Sequence, residues 1–470
     1  MQNNLIFGGM QRFASDFAMK KNDIVKIEIT GMSHEGVGIG RVDNMAVFVR
    51  GSAVGDTVEA VIIKVAKNYA VGKLLSVITP SKDRIENDCP AFPRCGGCVY
   101  RHISYTAEAE IKRQRVADCL KRIGGIDFMP DETQTGEESG YRNKAQYPVG
   151  DEGKGLLAGF YANHSHRIID CGECALQPPV FSKVVDCVKA FITENSISAY
   201  NERSGKGLVR HIYIRQGAVT KEMMVCIVIN GKDLPHSDNL VTRLLETVGV
   251  DLKTVVLNFN TADTNVVMST RCKAIYGDGY ITDLLCGVKV RLNALSFYQV
   301  NHAMAERLYN KAAEFAGTGG TLIDLYCGAG TIGLSMADRF DRVVGVEVVP
   351  EAVEDAKFNA AANNITNARF MCADAYDAAK QLHDEGIKPD VVIVDPPRKG
   401  LEEGLPRHIA ENMSPDRVVY VSCDPATMAR DVRAFEECGY KLCEAVPFDL
   451  FPRTSHVESC VLLCKELENE

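Results

Sequence analysis

Three stretches of this chain carry residue types that do chemistry. In residues 418–431 an apolar run of the kind a buried strand has breaks at Ser422-Cys423-Asp424-Pro425. The strand should end there, with Cys423 at its carboxyl tip. Most free cysteines are small buried hydrophobes, but in open α/β sheets ligands gather outside the carboxyl ends of strands, where a thiol is placed to act as a nucleophile. A second stretch, residues 321–334, reads as a strand containing Asp324, a turn through Tyr326-Cys327-Gly328-Ala329-Gly330, and a helix start. The next strand, Val343 to Glu347, ends in a carboxylate 23 residues after Asp324. Such spacing fits a nucleotide-type cofactor over the turn, its ribose held by Glu347. With no long phosphate-cradling loop and no Gly-Lys-Ser/Thr, adenosylmethionine is favoured over NAD or ATP. A further strand, from Val391, ends in Asp395-Pro396-Pro397, a stiff wall beside the cofactor. The third stretch is the C-x5-C-x2-C cluster Cys89, Cys95, Cys98, with Cys171 and Cys174 downstream as candidates for a fourth ligand. Three close thiolates and a distant one favour an iron-sulfur centre over zinc.

The elements that must hold these residues follow from patterning. From Ser296 onward strands and helices alternate, as in an α/β sheet. Ahead of that, residues 23–78 alternate short β-rich runs with turns, the pattern of a five-stranded barrel. The glycine-rich hairpin Gly36 to Arg41 and the series Lys64, Lys67, Lys73 would give it a mildly basic face. This region resembles the TRAM domain, an OB-like RNA-binding barrel. Residues 105–122 predict a helix with Ile111, Val116, Cys119 and Leu120 on one side and a basic remainder left to solvent. In residues 141–147, 208–215, 223–229 and 255–259, Arg, His and Tyr alternate with apolar residues. They predict a half-exposed sheet whose polar face either tracks phosphates and stacks bases or is simply solvated. Residues 1 to about 20 read as a loose leader with no assigned role.

Composition bounds the function. At 470 residues the chain exceeds one core, and about three domains are expected: 1–80, 81–285 and 286–470. No run reaches the roughly 20 apolar residues of a membrane span, and the first residues lack the pattern of a signal peptide. Seventeen cysteines, an odd number, with no export signal point to reduced thiols and a cytoplasmic protein. The net charge of -9 leaves no global basic footprint, so nucleic-acid binding must rest on local patches.

The segments after the cysteine cluster (residues 97–105), at 296–301, 324–334, 395–401 and 422–431, and finally at 451–459, together resemble the RNA uridine-C5 methyltransferases, most closely the 23S rRNA (uracil-5-)-methyltransferase group. That resemblance implies an α/β Rossmann-like methyltransferase domain, an N-terminal OB-like TRAM barrel and a central α+β iron-sulfur domain. It implies Cys89, Cys95, Cys98 and Cys174 as ligands of a 4Fe-4S cluster, with Cys171 an extra thiol. Gln299, Tyr326, Glu347 and Asp395 match the positions contacting S-adenosylmethionine, Cys423 the nucleophile and Glu458 the general base, with His456 the rival base. Thr331 stands where some relatives carry Asn. Residues 104–140 are expected to pack with the catalytic domain. The implied reaction is methyl transfer to C5 of a uridine in 23S rRNA by a monomer through a covalent Cys-C6 adduct. The alternatives are a tRNA substrate, a DNA cytosine methyltransferase, whose nucleophile usually sits in a Pro-Cys pair, and a non-catalytic iron-sulfur RNA-binding protein.

Overall fold

The computed structural model describes residues 19–151, 153 and 155–466; the leader 1–18 lies outside them. The chain divides into two compact units after Arg84.

The first unit is a closed five-stranded barrel ordered Ile24–Met32, Gly38–Val42, Met45–Val49, Tyr69–Thr79, Thr57–Val65. Alternation with period two fills it: Ile27 and Ile29, Val47 and Val49, and Val58, Ala60 and Ile62 point inward. Lys64, Lys67 and Lys73 are exposed, and the Lys64 ammonium lies 5.8 Å from the Tyr69 ring.

The second unit holds two seven-stranded sheets. The C-terminal one runs Ala368–Cys372, Phe340–Glu347, Gly319–Leu325, Val391–Val394, Arg417–Ser422, Glu458–Lys465, Tyr440–Phe448. Its first five strands are parallel, while Glu458–Lys465 is antiparallel to both neighbours. Chain order reverses between Gly319–Leu325 and Val391–Val394, so the crevice where ligands settle opens beyond Leu325 and Val394. Valine and isoleucine dominate these strands because helices cover both faces.

The central sheet corrects one expectation. Every residue of Val209–Ile214 and of Met223–Ile229 is buried. Helices Pro179–Glu194 and Ser237–Val248 pack with one face, and the hairpin Ile281–Leu292 shares a core with the other. Arg210, His211 and Arg215 therefore face protein, neither solvent nor RNA. Arg210 donates to the carbonyls of Asn260 (2.9 Å) and Ala262 (2.8 Å), and Arg215 to those of Asn293 (2.8 Å) and Ser296 (2.6 Å). Packing is continuous across residues 285/286, since this hairpin and helix His302–Ala316 share that core.

Helix Tyr105–Cys119 also departs from its expected pattern. Val116 and, beyond its end, Leu120 join the core of the C-terminal sheet. Yet Glu108 and Lys112 are buried on the same helix, and Ile111 only partly so. The buried stripe pairs charges because Lys112 meets Asp449 of the distant loop at 2.7 Å.

Gly345 marks the tightest packing behind the cofactor turn. A Cβ there would lie 2.6 Å from the Phe370 ring and 2.9 Å from Cys327 Sγ. Gly345→Ala is expected to lower stability by about 1–3 kcal/mol through overpacking, read as a lower denaturant midpoint at unchanged slope.

Candidate active site

The strand Arg417–Ser422 and the strand Glu458–Lys465 pair from Arg417↔Cys464 to Ser422↔Ser459. Cys423 follows that last pair on one strand and Glu458 precedes it on the other, near enough for the Glu458 charge to act on the thiol. Asp424 then caps helix Pro425–Glu436, its carboxylate accepting from the amides of Ala426 (2.9 Å) and Thr427 (3.3 Å), with Pro425 in the first turn. The Asp-Pro step thus stops the strand and starts the helix, leaving Cys423 at the junction.

Charges crowd this point. Burial pushes the Cys423 thiol up to about 11; Glu458 and Asp395 add to this, and Arg398 opposes it. Glu458 is pushed up to about 8 by burial and Asp395, again against Arg398. Burial alone raises Asp395 to about 7. His456 moves the other way, down to about 4, through desolvation and the cations Arg398, Arg115, Lys112 and Arg142. His456 is thereby a weaker proton acceptor than Glu458. Arg398 has no place among the sequence candidates, although it directly follows Asp395-Pro396-Pro397 in a motif already singled out. Its loop is tied down by Asp431, which accepts from the Leu401 amide and the Tyr420 hydroxyl, both at 2.8 Å.

Gln299, Tyr326, Glu347 and Asp395 line one cavity of about 690 Å³, together with Phe297, Thr331 and Asp355. Cys423 and Glu458 do not line it, but the charge of Asp395, which does, acts on both. The glycine turn is held from both sides. Glu347 accepts from the amides of Gly328 (3.1 Å) and Val349 (2.9 Å), and Asp324 from that of Gly333 (2.9 Å). Tyr326 adopts φ 67°, an uncommon left-handed conformation for a non-glycine residue, and its buried hydroxyl has no partner among the described residues. Thr331 lies 3.4 Å from the Tyr309 hydroxyl. Gln299 is set by its backbone, whose carbonyl accepts from Asn143 at 2.9 Å. The cavity offers a carboxylate for ribose hydroxyls, an amide and a rigid turn, which suits a nucleoside cofactor.

Cys89, Cys95, Cys98 and Cys174 share a second cavity of about 60 Å³ with Cys171, Arg101 and Arg142. Sequence reasoning set Cys171 aside, whereas the structure buries it beside Cys174, whose thiol its proton holds below the usual range. Among the described residues no group of three or more His, Cys, Asp or Glu is arranged to hold a metal ion. The expected metal centre is therefore not a finding of the structure. The convergence of the thiols is. Among the described residues no helix is long and apolar enough to cross a membrane.

Residues 260–466 match the family described as tRNA (Uracil-5-)-methyltransferase, and residues 20–75 match the TRAM domain. An uncharacterized RNA methyltransferase of Halalkalibacterium halodurans is 43% identical over 455 residues, covering 96% of this chain and 98% of the relative. Another from Clostridium tetani is 43% identical over 451 residues, covering 95% and 98%. Among solved structures, the Pyrococcus abyssi tRNA (uracil-54, C5)-methyltransferase in complex with S-adenosyl-L-homocysteine superposes with a TM-score of 0.74 at 28% identity, covering 93% of this chain and 100% of that one.

Raised carboxyl values also make stability depend on pH. Asp395 at about 7 and Glu458 at about 8 keep protons in the folded chain that the unfolded chain releases near pH 4. Their contribution is intact below about pH 4 and is lost as pH rises towards 8. Asp395→Asn should therefore raise the melting temperature at pH 8.5 and leave it nearly unchanged at pH 4.5, as read by calorimetry without ligand.

Proposed function

Because the chain belongs to the RNA (uracil-5-)-methyltransferase family and uses S-adenosylmethionine as methyl donor, we propose that it methylates C5 of a uridine in 23S rRNA through a covalent adduct between Cys423 and C6. The observation that supports the reading is the pairing of the two strands up to Ser422↔Ser459, which leaves Cys423 and Glu458 at neighbouring strand ends, with the cavity residue Asp395 acting electrostatically on both.

Uracil C5 is too weak a nucleophile to take a methyl group unaided. Addition of the Cys423 thiolate to C6 turns C5 into an enolate carbon, which attacks the methyl group in line. Arg398 favours the thiolate, opposing the burial and neighbouring carboxylates that disfavour it. Glu458 then removes the C5 proton, the C5–C6 double bond re-forms, and the Cys423–C6 bond breaks. Gln299, Tyr326 and Glu347 hold the cofactor, and Asp395, on the cavity wall nearest in charge to Cys423 and Glu458, holds the cofactor or the uracil edge. The target base must leave its stack to reach the thiol. The five-thiol cavity, flanked by Arg101 and Arg142, is a soft sulfur donor set. On the strength of these converging thiols we propose that Cys89, Cys95, Cys98 and Cys174 would hold a 4Fe-4S cluster, whose contribution would be structural since methyl transfer moves no net electrons.

A tRNA substrate is the second reading. It is favoured by the Pyrococcus abyssi enzyme, which acts on tRNA and matches 93% of this chain, so the front half does not separate the two substrates. Unmodified transcripts of 23S rRNA and tRNA, incubated with labelled cofactor, decide it: label in 23S rRNA supports the proposal, and label confined to tRNA replaces it.

Cys423→Ala should abolish methyl transfer and form no adduct. Glu458→Gln should accumulate a denaturation-resistant protein–RNA complex already carrying the methyl label. Normal turnover by Cys423→Ala overturns the covalent route. In the wild type kcat/KM should rise from pH 6 to 9, since Glu458 at about 8 and Cys423 at about 11 both act deprotonated. A flat profile removes them as the titrating pair. Protein prepared without oxygen should carry about four irons and lose its colour on Cys98→Ala; iron-free, colourless wild type removes the cluster.

A further inference from the structure

The loop between the last two strands, residues 449–457, carries the chain to Glu458, and almost every tie on it comes from residues 99–141. Lys112 Nζ donates to Asp449 (2.7 Å), to Glu108 (2.7 Å) and to the Phe451 carbonyl (3.3 Å). Glu108 in turn accepts the Arg453 amide at 2.7 Å. The Arg453 guanidinium reaches the Ile103 carbonyl (2.9 Å) and pairs with Glu138, and its own carbonyl accepts the amides of Val99 (2.8 Å) and Tyr100 (3.2 Å). Tyr141 donates to the Pro452 carbonyl (3.0 Å), and Arg115 to that of Ser455 (2.6 Å). Lys112, Glu108 and Asp449 are at most 1% exposed.

Buried ion pairs of this kind gain little net stability, because desolvation offsets their attraction; their best-attested use is to select one geometry. Arg453 also holds φ 71°, where a non-glycine residue is strained. A strained residue tied at its amide, carbonyl and guanidinium, five positions before Glu458, is built to set where the following chain goes.

We propose that Arg453, held by Glu108 and through it by the Lys112–Asp449 pair, is the positioning residue for Glu458, and that it governs C5 proton removal while leaving cofactor binding and methyl transfer to other residues. The inference rests on Glu458 acting as the base. A purely structural role would lower every step together; a positioning role slows only the step after methyl transfer.

Two labels separate these outcomes: methyl-labelled cofactor reports transfer, and tritium at uracil C5 of the transcript the wild type methylates reports proton release. Arg453→Met should bind cofactor as the wild type does, slow tritium release by about tenfold to a hundredfold, and accumulate methylated adduct, with Arg453→Lys restoring part of the release. Should Arg453→Met fail to fold, Arg453→Gln is measured in the same way. Equal loss of transfer and release, or wild-type release with no adduct in a folded variant, overturns the inference. Glu458→Gln is the control. If it traps no adduct, the assignment of the base has failed; if it traps adduct and the Arg453 variants do not, the positioning role alone has failed.

Discussion

The antiparallel insertion of strand Glu458–Lys465 beside Arg417–Ser422 is the constraint on which the site depends. Side chains on a strand alternate with period two, so a slip of one residue would turn Glu458 away from Cys423 and put the buried Val461 and Leu463 on the wrong face. The core thereby locks the register, and the register brings together a thiol and a carboxylate 35 positions apart in sequence. Backbone pairing continues on the other side, where Glu458 faces Phe448. The proposed base is held in a ladder, with less freedom than a loop residue would have.

Electrostatics then give that geometry its chemical character. Asp395, Glu458 and Cys423 act on one another in a largely desolvated setting, and each is harder to ionise than usual. Arg398 is the cation that opposes this for the thiol and for Glu458. The cofactor's sulfonium charge would add to it, so the site is poised to ionise as its substrates arrive. A thiol held protonated at rest also limits its own unproductive reaction.

The regions outside the C-terminal sheet frame the site. The central sheet, covered on both faces, uses Arg215 to hold carbonyls of the 293–296 segment that leads to Gln299. Helix Tyr105–Cys119 spends its buried charges on the loop that leads to Glu458. Residues that look like an RNA-binding surface by composition thus serve to fix the two segments flanking the chemistry.

What the chain's order alone determined was whatever depends on neighbours in sequence. The strand ending at Cys423 is legible because Asp-Pro both breaks a strand and caps a helix, and the cofactor turn because Asp324, the glycines and Glu347 lie within one strand-turn-helix-strand unit. The barrel is legible from alternation. Tertiary structure decided everything that depends on what covers a face. The polar alternation of residues 208–215 looks the same on a solvated sheet as on one whose arginines reach carbonyls of a later loop. The Glu108–Lys112 pair looks like a surface i,i+4 pair until Asp449 arrives from the far end of the chain. Arg398 sat in a visible motif, but its role follows only from the convergence of Asp395, Cys423 and Glu458. Spacing along the chain encodes local geometry, whereas burial and charge depend on partners that only the completed fold supplies.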